Sequence, residues 1–177
     1  MSALTQPVGE EDALSRARLG DQDAFGELVA RHESMVFSVA LRVVADRARA
    51  EEIAQEVFLQ FYRSLGTIES ESHALFWLRQ VTSRRCVDEL RRRPRLQAVA
   101  ELREIGTEAS WPDPIRDRTL QRLVAELPEA QRVVLTLRYQ EDLDPSEICR
   151  IVGMPVNTVK SHLQRALQSL RRKLGDQ

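Results

Sequence analysis

Two cysteines, three histidines and 5% aromatic residues are little material for a chain of 177 residues, and each scarcity removes a class of protein. Cys86 and Cys149 stand far apart, with no CxxC pair and no neighbouring pair of histidines. Neither a disulfide framework nor a zinc site is expected, and both thiols read as small, reduced hydrophobes. His32 and His73 are isolated from metal partners in the same way, so no metal and no cofactor is expected. The seven glycines form no phosphate-cradling loop, and no nucleophile stands in an arrangement with a base, so the chain does not read as an enzyme. No apolar run approaches the ~20 residues that span a bilayer. The opening stretch MSALTQPVGEEDAL is acidic where a secretory signal is basic and then apolar. A cytoplasmic protein without membrane insertion is expected.

What is abundant is Arg, Glu, Leu and Ala. These residues favour helix, whereas sheets want β-branched and aromatic side chains, so the fold class expected is all-α. The net charge of −1 conceals a strong pattern. Residues 1–60 carry 6 basic and 11 acidic groups, 77–97 carry 7 and 2, 98–147 carry 6 and 11, and 148–177 carry 6 and 1. Two basic patches between acidic segments suggest two DNA-facing surfaces, with acidic faces left for a basic protein partner.

Helical periodicity runs through most of the chain. A short helix over 11–19 precedes a long one over 23–45, which places Phe25, Leu28, Val29, Val36, Val39, Ala40 and Val43 on one side. Asp46 can cap the next helix, whose stripe of Ala50, Ile53, Ala54, Val57, Phe58 and Phe61 ends at Leu65-Gly66. From His73 to Arg93 the pattern predicts a helix with Phe76, Trp77, Val81, Val87 and Leu90 inward and arginines outward, stopped by Pro94. Residues 94–115 hold three prolines and no sustained period, which reads as a linker. Helices follow from Pro114 to Leu127 and from Pro128 to about Tyr139.

The sharpest signal is DPSEICRIVGMPVNTVKSHLQRALQSLRRK, residues 144–173. Asp144 can cap a helix that starts at Pro145, and Glu147 stands three residues on, as in a capping box. That helix buries Ile148, Ile151 and Val152. Gly153 can take the left-handed conformation of a tight turn, and Met154-Pro155 restarts the chain. In the second helix Val156, Val159, Leu163, Leu167, Leu170 and Leu174 step by three or four, so this face should pack inward. Its opposite face carries Asn157, Thr158, Lys160, Ser161, Gln164, Arg165, Gln168, Arg171 and Arg172. No acidic residue occurs from Cys149 to Gly175. A short helix, a glycine turn and a longer helix with such a face predict a helix-turn-helix in the major groove, combining base-edge readers with phosphate-seeking cations. The competing reading is a helical hairpin with a solvated outer face, but such faces usually mix Glu with Lys.

The chain resembles the extracytoplasmic-function sigma factors, small bacterial factors that direct RNA polymerase to promoters. AEEIAQEVFLQFYRSL is similar to the family's polymerase-binding helix. FWLRQVTSRRCVDELRRR is similar to its helix at the minus-ten element, and LPEAQRVVLTLRYQEDLDPSEICRIVGMPVNTVKSHLQRALQSLRRKL to its carboxy-terminal domain. The resemblance implies two small helical domains joined by a flexible linker. Residues 10–95 would bind core RNA polymerase and melt the minus-ten element, 96–115 would link, and 116–174 would bind the minus-thirty-five element as duplex.

The resemblance also implies roles by residue. Asp46, Glu51, Glu52, Gln55 and Glu56 would face the polymerase, where complementary charge sets orientation and on-rate. Arg79, Ser83, Arg84, Arg85, Asp88 and Arg91 would contact promoter DNA near the melting point. The loop with Ile68, Glu69 and Ser70 would receive an extruded base of the non-template strand. Asn157, Thr158, Lys160, Ser161, His162, Gln164 and Arg165 would read or position the upstream element. Arg84 stands where relatives often carry Asn, and His162 where they commonly carry Arg. Trp77, between Phe76 and Leu78, reads as core rather than as a wedge in the strand. An anti-sigma protein is a further implied partner. The rival readings are a LuxR-type activator, whose helix-turn-helix would accept VNTVKSHL, and a helical adaptor that binds polymerase without DNA. Residues 10–93 show no βα alternation, which disfavours the sensing domain an activator would need.

Overall fold

A computed structural model of the protein describes residues 10–92 and 118–175; the expected linker, 96–115, lies outside them. Every regular element among the described residues is helical. Helix α1 (Glu10–Arg18) leads by a short turn to α2 (Gln22–Val44), and Asp21 caps α2 by accepting from the backbone amides of Asp23 and Ala24. The Ala24 amide first, and then the Arg16 side chain, which donates to Asp21 at 2.9 Å, hold the Asp21 carboxyl below its ordinary pKa.

Helix α2 stops where Ala45 turns left-handed, at φ 58°. The next residue, Asp46, already caps α3 (Arg47–Ser64) by accepting from the Arg49 amide. A connection this short forces α2 and α3 into an antiparallel pair. A single 3₁₀ turn, Leu65–Thr67, follows, and then α4 (Glu71–Arg92), whose first turn is tied by Ser70 Oγ accepting from the His73 amide.

Beyond the undescribed segment come α5 (Arg118–Ala125), α6 (Glu129–Tyr139), α7 (Pro145–Val152) and α8 (Val156–Gly175). The signature expected at 144–153 forms in full. Asp144 accepts from Ser146 and Glu147, Glu147 reaches back to the Asp144 amide at 2.8 Å, and Gly153 sits at φ 68°.

One apolar core joins the two halves. Leu28, Val36, Val39, Val43, Val57, Phe61 and Leu78 from the first four helices, with Ile68 from the loop before α4, pack in the same cluster as Val133, Val134, Leu137, Leu143, Ile148, Ile151 and Val159. Leu123, Leu127, Leu135, Ala166 and Leu170 make a smaller cluster within the carboxy-terminal helices. The halves therefore meet through a shared cluster, while the carboxy-terminal helices keep a smaller one of their own. The reason lies on α4. Its buried stripe is Ala74, Leu78, Thr82, Ser83, Cys86 and Leu90, while Phe76, Trp77, Val81 and Val87 are half-buried against the same core. A helix apolar over so wide an arc needs neighbours on more than one side, and α6 and α7 supply the second side. Leu174, expected inward, is 45% exposed, on the last turn of α8.

Candidate nucleic-acid interface

On α8 the exposed side of the helix carries Asn157, Lys160, Ser161, Gln164 and Arg165, with Thr158 and His162 half-buried beside them. Asn157, Thr158, Ser161, His162 and Arg165 line a shallow depression on this face. Ser161 Oγ donates to the Asn157 carbonyl at 2.9 Å, so its hydroxyl is turned along the helix. Val159, Ala166 and Leu170 are buried on the opposite side and fix the rotation of α8. The helix-turn-helix thus presents a face of donors and cations with no carboxylate on its own helix. In the low-charge setting of base edges such donors read sequence, and the cations seek phosphate.

The second basic patch, on α4, is divided. Arg84 and Arg91 are exposed, and Arg85 and Asp88 half-exposed. Arg85 donates to Glu56 Oε2 at 2.9 Å and to Gln60 at 3.1 Å, both on α3. Arg91 lies 3.9 Å from Glu129. Ser83 departs from the sequence reading: it is 3% exposed, with its hydroxyl buried in the core rather than on the outer face. Its neighbours Thr82 and Cys86 are also buried, so position 83 belongs to the helix's inner stripe. Arg79 is only 18% exposed on its side chain and gives two hydrogen bonds, of 3.0 and 2.9 Å, to Glu141 of the carboxy-terminal half.

The loop before α4 needs a similar correction. Ile68 is fully buried and anchors the loop in the core, whereas Glu69 and Ser70 are exposed. Behind the loop, His32 of α2 is buried and its Nε2 lies 2.8 Å from Glu71 Oε1, which also accepts from Arg31 at 3.1 Å. His32 therefore anchors the first turn of α4, a role that its isolation in the sequence did not reveal.

Glu51, Glu52, Gln55 and Glu56 stand exposed on α3. Their ion pairs, Arg47 with Glu51 at 3.0 Å, Arg49 with Glu52 at 2.5 Å and Arg85 with Glu56, are all solvent-facing. Pairs of this kind contribute roughly 0–1 kcal/mol each, so they yield readily to a partner. Asp46 differs, because its carboxylate is engaged in capping α3. The same helix exposes Leu59 at 59% and Tyr62 at 47%. Neither stood out in the sequence, since an apolar residue just outside a broad helical stripe looks like part of it.

The fold and these faces define a helical DNA-binding protein with a helix-turn-helix at its carboxy end. Residues 28–96 match the family description "Sigma-70 region 2", and 117–170 match "Sigma-70, region 4". The ECF RNA polymerase sigma factor SigK of Mycobacterium bovis is 32% identical across 90% of this chain and 91% of its own length. The RNA polymerase sigma-H factor of Pseudomonas aeruginosa is 30% identical across 97% and 96%. The fold is also similar to that of the sigma factor RpoE of Bartonella quintana, solved in complex with the anti-sigma factor NepR, with a TM-score of 0.65, 17% identity, and 85% of this chain and 96% of that one covered. The chain belongs to the ECF RNA polymerase sigma factors, and it acts in promoter-directed initiation of transcription. No helix among the described residues is long and apolar enough to cross a membrane.

Proposed function

We propose that the protein binds core RNA polymerase in the cytoplasm and sets promoter choice by a bipartite grip, leaving all catalysis to the polymerase. Residues 116–174 form the duplex-reading domain. Thr158, Lys160, Gln164 and Arg165 enter the major groove of the minus-thirty-five element, with Asn157, Ser161 and His162 at the edge of the contact. Residues 10–95 form the strand-opening domain. Arg79, Arg84, Arg85, Asp88 and Arg91 meet the minus-ten element, and Glu69 and Ser70 border the place of an extruded base, while 96–115 links the two domains. Glu51, Glu52, Gln55 and Glu56 face a basic surface of the polymerase, with Leu59 and Tyr62 beside them as an apolar anchor. Anchors of that kind supply affinity that exposed charges alone do not.

The observation that carries this reading is the exposed face of α8, where Lys160, Gln164 and Arg165 project with no carboxylate between Cys149 and Gly175. By analogy with the RpoE complex, an anti-sigma factor is a further partner.

The test is reconstitution. Pure protein is added to core RNA polymerase with a library of promoter fragments, and new specific start sites are expected. Their absence would sink the proposal, and an effect seen only when another sigma factor is present would assign the protein to the activators instead.

A further inference from the structure

The contact between the two halves falls on a residue that the proposed function needs. Arg79 projects from α4, yet both of its hydrogen bonds end on one carboxylate oxygen of Glu141. Glu141 lies in the turn between α6 and α7, and its side chain is only 9% exposed. A carboxylate held against a guanidinium at 2.9 Å occupies the position that a phosphate would take. The adjoining residue strengthens the hold, since Gln140 Nε2 donates to Ser38 Oγ of α2 at 2.7 Å. Beneath these polar contacts Leu143, Ile148 and Ile151 are buried in the core of the first four helices. Beside Arg79, a groove of about 420 Å³ runs between Phe76 of α4 and Ile151 of α7. The α8 face is arranged differently: Asn157, Lys160, Gln164 and Arg165 all remain exposed in the same closed arrangement.

We propose that Glu141 is an internal latch, a DNA-mimicking carboxylate that keeps Arg79 from the melted strand until the carboxy-terminal half moves away. The free chain is then an unequal binder. Its α8 face can engage duplex, while its α4 face is withheld because the chain's own acidic turn fills the guanidinium fork. Binding to polymerase, which under the proposed function holds the two DNA-reading domains on separate promoter elements, breaks the Arg79–Glu141 contact and frees α4. Promoter melting is thereby confined to the holoenzyme. The inference rests on the proposed role of Arg79 at the minus-ten element.

The experiment uses the full chain without polymerase and a fluorescein-labelled single-stranded oligonucleotide, the non-template strand of a promoter that the holoenzyme opens. Binding is followed by fluorescence anisotropy, and helicity by circular dichroism. Glu141→Ala and, independently, Ser38→Ala are expected to tighten binding of the free chain by about tenfold, because a state that was rarely open becomes common. Adding Arg79→Ala to Glu141→Ala should cancel the gain. Unchanged binding in both single variants, with helicity intact and with Arg79→Ala still slowing promoter opening by the holoenzyme, overturns the latch and leaves the role of Arg79 standing. If Arg79→Ala does not alter opening by the holoenzyme, the DNA contact is wrong and the latch falls with it.

Discussion

Arg132 of α6 reaches the carboxy end of α2, where one terminal guanidinium nitrogen donates to the Val43 carbonyl at 2.7 Å. The other terminal nitrogen serves the carbonyls of Ala125 and Leu127 at the end of α5. Carbonyls at helix ends have no partner within the helix, and a buried cation beside them also suits the helix dipole. One side chain, 3% exposed, thus completes two helix ends and joins the halves of the molecule.

Arg132→Met keeps the apolar stem and removes the donors. Buried carbonyls left without a partner cost about 1–3 kcal/mol each, and relaxation recovers part of that. A loss of roughly 3 kcal/mol is expected from urea unfolding. Arg132→Lys should recover only a fraction, because an ammonium cannot fork between two helices. An unchanged urea midpoint for the Met variant would refute this account.

The pH dependence of stability should show the two aspartate caps. In the folded chain the carboxyl of Asp144 is held below its ordinary pKa by hydrogen bonds, that from the Glu147 amide first and that from the Ser146 amide second. The Asp21 carboxyl is lowered in the same direction by the amide of Ala24 and by Arg16. A depressed folded-state pKa means that the stabilisation is fully present above the unfolded value, near pH 4. It is lost as pH falls through the folded value. Resistance of the wild type to thermal unfolding should therefore fall below about pH 4, and Asp144→Asn should flatten that fall while lowering stability at pH 7. Parallel curves for the two proteins at every pH would reject the cap as a source.

Helix positions were legible where local chemistry sets them. Asp46, Asp144, Pro145, Glu147 and Gly153 each act on a backbone within a few residues, and the caps and the turn they promised are present. The rotation of α4 was less legible, because its apolar residues cover a wide arc and a period of 3.6 does not choose between two packed sides. The family resemblance alone gives Ser83 an outward role, with no periodicity behind it, and it is buried. Arg132, within the run QRVVLTL, and His32, within VARHES, carry no local mark of burial. Their partners Val43 and Glu71 are brought to them only by tertiary packing.

The two thiols should separate cleanly by reactivity. Cys86 is fully buried on the inner stripe of α4, and burial pushes its thiol up to about 12. Cys149 is partly exposed on α7. At pH 8 Cys86 is held as the thiol, whereas the thiolate is the form that reacts. Under native conditions an aromatic disulfide reagent should therefore titrate Cys149 promptly, and Cys86 only after denaturant is added. Two fast equivalents in the folded chain would contradict this burial.

On α8, Arg165 and Lys160 should fail in different ways when removed. Arg165 stands beside Gln164 on the exposed face, and a guanidinium can form two hydrogen bonds with a guanine edge, so its loss should fall on particular bases. Arg165→Ala is expected to reduce discrimination between correct and altered upstream elements by about 1–3 kcal/mol. Lys160, a point charge without a forked donor, suits phosphate. Lys160→Ala should weaken binding to all sequences alike and lower the slope of log affinity against log salt by about 1. Competition binding with matched and mismatched duplexes at several salt concentrations separates the two. Sequence preference unchanged in Arg165→Ala would exclude it as a base reader, and an unchanged salt slope in Lys160→Ala would take that residue off the phosphate backbone.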